Sequence, residues 1–456
     1  MLGKTVTFLT HCSARYGSGH LIRSLRFSSW LEKLGFKIEF ILLDSEINSE
    51  KLNVFVNHYL STKLKLAFKN SRDLSLSNHT YLVIDIPFNN NHLLKEILKA
   101  LFDTSGELRH LVWLDPPKSK EFLTQLYLLS IPKIILISSL LEALPAVKRY
   151  NLPDKQILHF KGWRYIIPAP EIFKLKPVNP RKEKILTTFG LIPDNKMPLQ
   201  NLKIISNSPN IISEIANSSI VITSFGLTMF EALKLGKRVC IVPKTEEQIK
   251  WYSHLFKLLG ITDKIPKEIK FLSQNFTNVF FSDKRIETAF EGIWELLYLF
   301  LPVKDKDLTL ELTTEDDMEL LLYWRQNPKI YKFFKRQKKP LSWEEHEKWW
   351  HLRKDRIDWI INYKGRRVGT LNVSNFKKTP EIGIFIGDIS IRSKGLGTRS
   401  IKLALHFLRN AAYKTVRAVI HKENIPSQRA FEKAGFEKEG NLPENPKFNL
   451  FIATLD

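Results

Sequence analysis

Two short stretches of this sequence hold residue types whose spacing could do chemistry. In ARYGSGHLIRS, residues 14–24, Gly17 and Gly19 precede His20, and Arg23 follows one helical turn later. Glycines let a backbone approach a ligand, and a helix that opens here would present unpaired N–H groups to an anion. The helix dipole would lower the proton affinity of a histidine at that point, leaving a neutral imidazole able to accept a proton near neutral pH. Arg23 could offset charge on a ligand. The bland alternative for His20 is a residue that caps or packs against the helix start. In IRSKGLGTRS, residues 391–400, Arg392, Gly395, Gly397 and Thr398 have the spacing to wrap a pyrophosphate with consecutive backbone N–H groups.

Each loop needs a strand before it and a helix after it. KTVTFLT has the branched residues of a buried strand, and LIRSLRFSSWLEKLG repeats apolar residues at helical spacing and stops at Gly35. Further strand-like runs, KIEFILLD, TYLVIDIPF, HLVWLDPP and KIILISS, alternate with helix-like ones, which is the pattern of a parallel α/β sheet. A basic crossing segment with four prolines, KGWRYIIPAPEIFKLKPVNPRKEK, leads to a second series, ILTTFGL, LKIISNS, SSIVITSFG and RVCIVP. Two α/β domains face to face would hold a ligand at the carboxyl ends of their strands. GIWELLYLFLPV, which carries Glu295, reads as a buried helix. The remainder changes character. DDMELLLYWRQNP and SWEEHEKWWHLRKD read as amphipathic helices, the second opened by a Ser342/Glu345 capping box. DWIINYKGRRVGTLNVSNF reads as two strands around a Lys364-Gly365 turn, and PEIGIFIGD as the strand that feeds the second loop. A helix from about Gly397, a strand TVRAVIH, a helix PSQRAFEKAGF and a strand FNLFIATLD complete an α+β module. The expected domains are residues 1–160, 161–303 and 304–456.

The 456 residues carry a formal charge of +23, with lysine spread along the chain and one dense run, KFFKRQKKP. No nucleic-acid-binding motif accompanies the charge, so no nucleic-acid partner is expected. Cys12 and Cys240 are the two cysteines, and they make neither a disulfide framework nor a metal-ligand spacing. With no leader-like start and no apolar run of bilayer length, a cytoplasmic protein with no metal and no membrane partner is expected.

The loop at 391–400, preceded by EIGIFIGD and followed by HKENIPSQRAFEKAGFEKEG, resembles the GCN5-related N-acetyltransferases over roughly Leu308 to Asp456. The resemblance implies acetyl-CoA as cosubstrate, held at its pyrophosphate by Arg392, Gly395, Gly397 and Thr398, with Asn424 and Ser427 near the acetyl end. Phe431 stands where many members carry a tyrosine that protonates the departing thiolate, which leaves that step to water or to Ser427. Glu381, at the head of the strand beside the loop, is the candidate base, with a solvated strand end as the equal alternative. His421 reads as a strand histidine packed against its neighbours. LLLYWRQNPKIYKFF and SWEEHEKWW look like the subgroup that contains ribosomal-protein and amino-sugar acetyltransferases. That likeness places Trp324, Arg325, Asn327 and His346 on the acceptor side, against a plain core reading of the aromatics.

The GSGHLIR loop is similar to that of a UDP-sugar hydrolase of pseudaminic acid synthesis, a relative of the peptidoglycan N-acetylglucosaminyltransferases. SSIVITSFGLTMFEALKLGKRVCIVPKTEEQ resembles the element that holds UDP in that glycosyltransferase-B-like fold of two Rossmann-like domains. The resemblance implies His20 as the base that activates water, with Gly17, Gly19 and Arg23 around the nucleotide sugar. It also implies Ser224, Gly226 and Thr228 at the diphosphate, Glu231 near the ribose and Gln248 near the sugar. Asp85 in DIPF stands without the tyrosine that follows it in the family. The expected whole is a bifunctional enzyme that acetylates a UDP-linked 4-amino sugar and then hydrolyses off UDP. The alternatives are a glycosyltransferase or a nucleotide-sugar-binding module, joined to an acetyltransferase acting on another amine such as a protein N-terminus.

Overall fold

The computed structural model describes residues 4–13, 19–45, 60, 65–76, 79–87, 89–104, 108–140, 145–175, 185–188, 210–223, 226–241, 288–301, 303–392 and 394–455. The chain divides into two compact units, Met1–Pro145 with Arg149–Phe290, and Ala146–Lys148 with Glu291–Asp456.

The first unit is built on eight strands: β1 (Thr5–Thr10), β2 (Lys37–Leu43), β3 (Lys65–Lys69), β4 (Tyr81–Asp85), β5 (His110–Leu114), β6 (Lys133–Ser138), β7 (Ala146–Leu152) and β8 (Lys155–Lys161). Their order is β3-β2-β1-β4-β5-β6-β8-β7, with parallel pairing from β3 through to β8. Strands buried on both faces read as continuous apolar runs, as β1, β4 and β6 do. Helix α1 (Gly19–Lys33) covers one face, where Phe8 stacks on Phe40 at 5.0 Å and meets Phe27 edge-on at 6.1 Å. Helices α2 (Asn91–Phe102) and α3 (Lys120–Leu128) cover the other face, over Leu82, Ile84, Leu111, Trp113, Ile134 and Leu136. The chain leaves β1 towards β2 and β3, then returns to place β4 on the opposite side. This reversal between β1 and β4 opens a crevice at the carboxyl ends of both strands. Strand β3 and the β7–β8 pair add to the strands expected from the sequence; their residues alternate polar and apolar without a clear face.

The same unit holds a three-stranded parallel sheet, β11-β10-β9, of β9 (Ile185–Thr188), β10 (Ile220–Thr223) and β11 (Arg238–Ile241). Helices α4 (Ile211–Ala216) and α5 (Leu227–Lys234) pack in its core with Trp163, whose ring lies 5.4 Å from Phe230. The expected strand LKIISNS lies outside the described residues.

In the second unit, α6 (Ile293–Tyr298) is the expected buried helix, and Glu295 sits 3.6 Å from Arg353. The sheet follows chain order from β12 (Lys304–Asp305) through β13 (Leu308–Leu312), β14 (Arg356–Tyr363), β15 (Arg366–Ser374) and β16 (Glu381–Ile386). It continues with β17 (Thr415–His421), then β19 (Phe448–Thr454), with β18 (Glu437–Asn441) on the edge. All joints are antiparallel except β16 to β17, which are parallel and share one ladder position, Glu381 with Arg417. The two strands therefore diverge into a wedge. Lys364 and Gly365, both at positive φ, make the tight turn between β14 and β15. Helices α7 (Met318–Arg325), α8 (Pro328–Tyr331) and α9 (Trp343–Leu352) precede β14, and α9 opens with the expected Ser342/Glu345 capping box. Helix α10 (Leu396–Asn410) follows β16, and α11 (Ile425–Glu432) follows β17. Both units are mixed α/β. Among the described residues no helix is long and apolar enough to cross a membrane.

Candidate active sites

At the β1/β4 crevice, four charged side chains converge. His20 opens α1, and its Nδ1 lies 2.7 Å from Asp85 Oδ1 at the end of β4. Arg23, one turn along α1, donates from Nε to Asp85 Oδ2 at 2.8 Å and from Nη2 to Asp85 Oδ1, and its Nη1 donates to Asp115 just past β5. Asp115 takes a left-handed backbone conformation, φ 44, and its other oxygen accepts from the Ser139 N–H at 2.9 Å. Asp85 is wholly buried. Burial pushes its carboxyl up, but the Arg23 guanidinium and His20 outweigh that and hold it below the ordinary carboxylate range. Burial opposes the charge on Arg23 in the same way, yet Asp85 and Asp115 raise its proton affinity above normal. In the neutral imidazole of His20 the ionised Asp85 accepts from Nδ1–H, which leaves the lone pair on Nε2. The His20 side chain keeps 21% exposure, enough for Nε2 to meet a ligand or water.

Gly19 joins this site at the first position of α1, whereas Gly17 lies outside the described residues, as do Ser224 and Gln248. Gly226 precedes α5 at φ +150, where only glycine is comfortable, and no side chain caps that helix; Thr228 lies in its first turn. Glu231 is buried and bonded to Arg26 of α1 at 2.8 Å, which joins α5 to α1; burial pushes its carboxyl up against the opposing pull of Arg26. Its carboxylate thus faces a protein cation. The partners of Asp85 and the place of Asp115 in the site emerge only from the fold. Both aspartates are the last acidic residue of an apolar run, a signal available in TYLVIDIPF and HLVWLDPP.

The second site is the wedge between β16 and β17. Gly395 sits at φ 73 before α10, in the left-handed conformation that a side chain disfavours, and no side chain caps the helix. The N–H groups of Leu396, Gly397 and Thr398 therefore face outward unclaimed by the helix. A Cβ on Gly397 would lie 3.9 Å from that of Ala430, and Thr398 Oγ1 donates to the Ala430 carbonyl at 3.3 Å, which ties α10 to α11. Arg392 donates to the Ile386 carbonyl at 3.0 Å, fixing the loop to the end of β16. These residues fit a pyrophosphate: an uncapped helix start, glycine where backbone must approach, and a cation beside them.

Asn424 caps α11 by accepting from the Ser427 N–H at 3.4 Å. Phe431 is buried against Phe436, 5.0 Å between ring centres, and has no proton to donate. Glu381 is paired with Arg417 at 2.8 Å at the closed end of the wedge. His421 lies between Phe333 and Phe448, and its Nδ1 accepts from the Glu423 N–H at 3.2 Å. Trp324 fills the space beside Gly387, and Asn327 caps α8. His346 is fully buried, with Nε2 3.1 Å from the Met318 carbonyl; burial and then Arg325 push its pKa down to about 4. Arg325 lies over the Trp349 ring at 4.8 Å and donates to Gln337 at 3.2 Å. Phe334 packs on Phe385 of β16, so the segment after α8 borders the wedge on one side while Phe333 borders β17. Among the described residues no group of three or more His, Cys, Asp and Glu is placed to hold a metal.

Residues 307–437 match the family described as an acetyltransferase (GNAT) domain. An uncharacterized protein of Methanocaldococcus jannaschii is 38% identical over 250 residues, 54% of this chain and 51% of that protein, so the chain spans about half the length of this curated relative. Among solved structures, a domain from Methanocaldococcus jannaschii DSM 2661 is 42% identical over 33% of this chain and 100% of its own, with a TM-score of 0.32. The aminoglycoside acetyltransferase AAC(6')-Ib with ribostamycin and coenzyme A is 17% identical over 33% of this chain and 94% of its own, with a TM-score of 0.31.

Proposed function

We propose, from the premise that residues 307–437 are an acetyl-CoA-dependent GNAT acetyltransferase domain, that this domain acetylates the amine of a nucleotide-linked amino sugar and that the first unit then hydrolyses the product. The substrate we assign is UDP-4-amino-4,6-dideoxy-N-acetyl-β-L-altrosamine. The second step would cleave UDP-2,4-diacetamido-2,4,6-trideoxy-β-L-altropyranose, as in pseudaminic acid synthesis in a cytoplasmic setting. The observation that carries the hydrolytic half is the His20–Asp85 pair at the strand-order reversal.

In the first unit, Asp85 fixes the tautomer and orientation of His20, and Arg23 with Asp115 fixes Asp85. His20 Nε2 takes the proton of a water whose oxygen bonds to the anomeric carbon. The bond from that carbon to the UDP oxygen breaks, and its electron pair leaves on the diphosphate. Gly226 and Thr228 at the start of α5 receive that charge. The paired carboxylate of Glu231 positions α5 through Arg26.

In the acetyltransferase domain, Arg392 and the N–H groups at Gly395, Gly397 and Thr398 would hold the coenzyme diphosphate. When bound, acetyl-CoA supplies an activated acyl group on a thiol that can leave. Glu381, oriented by Arg417, is the proton acceptor we assign for the amine. Phe431 cannot protonate the thiolate, so Ser427 at the start of α11 or water takes that role. Trp324, Asn327 and His346 shape the acceptor side from within the fold, and Arg325 stacks on Trp349 there.

The test supplies the amino sugar and acetyl-CoA and follows free thiol and UDP separately. UDP release should require prior acetylation. His20→Ala should abolish UDP release and spare thiol release. UDP release that survives His20→Ala sinks the hydrolytic assignment. UDP release only when a saccharide or lipid acceptor is added would make the first unit a glycosyltransferase.

A further inference from the structure

The sheet whose carboxyl edge carries Asp85 and faces His20 begins, at its opposite rim, on a row of cations. Tyr81, His110 and Lys133 occupy paired positions on β4, β5 and β6, so their side chains leave the same face. Lys4, two residues before the partner of Tyr81 on β1, points the same way and donates to the Tyr81 hydroxyl at 3.0 Å. The rings of Tyr81 and His110 are 4.6 Å apart. Beyond burial, the charges of Arg109, the residue before β5, and of Arg149 on β7 lower the proton affinity of His110 and Lys133 respectively. Among the described residues, Lys4, Arg109, His110 and Lys133 make no ion pair with a carboxylate, and the buried His110 Nδ1 has no hydrogen-bond partner. Like charges gathered in a partly buried place repel one another and lose hydration, a cost that an oxyanion between them would reverse.

We propose that this rim is an anion site that takes a phosphate group, presented either as inorganic phosphate or on a nucleotide. Donors arriving from several neighbouring strand starts suit an oxyanion with several acceptor oxygens better than a lone halide. The site lies at the opposite ends of the strands from His20 and is independent of the catalytic reading above. His110 gives it a signature. Burial, then Lys133, Lys4 and Arg109, push its pKa down to about 4, so in the free protein it is neutral near pH 6; a dianion beside it raises its proton affinity and binding draws a proton from the buffer.

The experiment titrates the full chain at about pH 6 with inorganic phosphate and, separately, with uridine monophosphate, by calorimetry in two buffers of different ionisation heat. Binding is expected, and a parallel titration with sulfate, whose charge is fixed at this pH, should show proton uptake, because phosphate itself sheds a proton when it binds as the dianion. Lys133→Met and the exposed-site variant Arg109→Gln should each weaken it about tenfold or more, the scale of a lost charge-assisted contact. Lys133→Met should also melt higher than the parent without phosphate, having shed a half-buried charge among like charges, and gain less when phosphate is added. Tighter binding of phosphate than of uridine monophosphate marks free phosphate as the source, and the reverse order marks a nucleotide. No binding of either probe to the parent chain, or binding that neither variant weakens, overturns the proposal.

Discussion

At the scale of single residues, the first unit turns on one buried carboxylate. Asp85 receives His20, the Nε–Nη2 edge of Arg23 and the Ser24 hydroxyl. Asp85→Asn would offer an amide where His20 needs an acceptor for Nδ1–H, so the other tautomer becomes accessible. The expected result is a fall in kcat for UDP release of about 10²-fold or more with KM little changed, read from steady-state kinetics. The same change leaves Arg23 half-paired, and a loss of roughly 3 kcal/mol in denaturant unfolding should accompany it. A KM effect alone would argue that Asp85 only shapes the pocket. His346 makes a prediction about pH. Its folded pKa is about 4 because burial and Arg325 oppose protonation, whereas the unfolded chain takes up a proton near the ordinary histidine value of about 6.5. The unfolded state therefore binds more protons in that window, and stability present above about pH 6.5 is lost as pH falls towards 4. The loss should approach roughly 3 kcal/mol at most, and His346→Gln should flatten the slope of unfolding free energy against pH. An unchanged slope would mean that His346 titrates normally.

At the scale of elements, the two glycines of the second loop do different work. Gly395 is needed for its left-handed backbone, while Gly397 sits in ordinary helix with room for a methyl group 3.9 Å from Ala430. Gly397→Ala should leave the melting temperature unchanged or slightly raised and weaken acetyl-CoA binding, measured by calorimetry, because the added methyl group stands between backbone and diphosphate. Gly387 behaves oppositely. A Cβ there would come within 2.3 Å of the Trp324 ring, so Gly387→Ala should lower stability by about 1–3 kcal/mol. The strand and helix on either side of each loop were legible from the sequence because their apolar periods are strong, as in KTVTFLT and EIGIFIGD. The β7–β8 pair was not, since AVKRYNL mixes charged and apolar residues and so carries no strand period. The convergence of Asp85, Asp115 and Arg23 was hidden for a related reason. Each residue type was visible, but which strand ends are neighbours is set by the order of the sheet, a long-range property. For His346, the helical aromatic pattern of SWEEHEKWW was equally compatible with an acceptor contact and with a packed histidine; the position of Met318 across the fold made the difference.

At the scale of the whole molecule, a net charge of +23 would favour the approach of the proposed nucleotide sugar and of acetyl-CoA alike. Raising salt from about 50 to about 300 mM should increase KM for acetyl-CoA and for the proposed nucleotide sugar several-fold while kcat stays nearly constant, because screening acts on encounter more than on the bond-making step. A salt-insensitive KM would show that the charge is spread too evenly to steer either ligand. The parallel joint of the second unit adds a dynamic consequence. Where β16 and β17 share one ladder position, the amides along the facing edges beyond Glu381 and Arg417 have no strand to protect them. In deuterated water these amides should exchange early, on the timescale of open backbone rather than of global unfolding, while those on the outer edges, laddered to β15 and β19, stay slow. Adding acetyl-CoA should slow the inner set and leave the outer set unmoved, so a single isotope-labelling time course would map the wedge as a row of amides waiting for a partner.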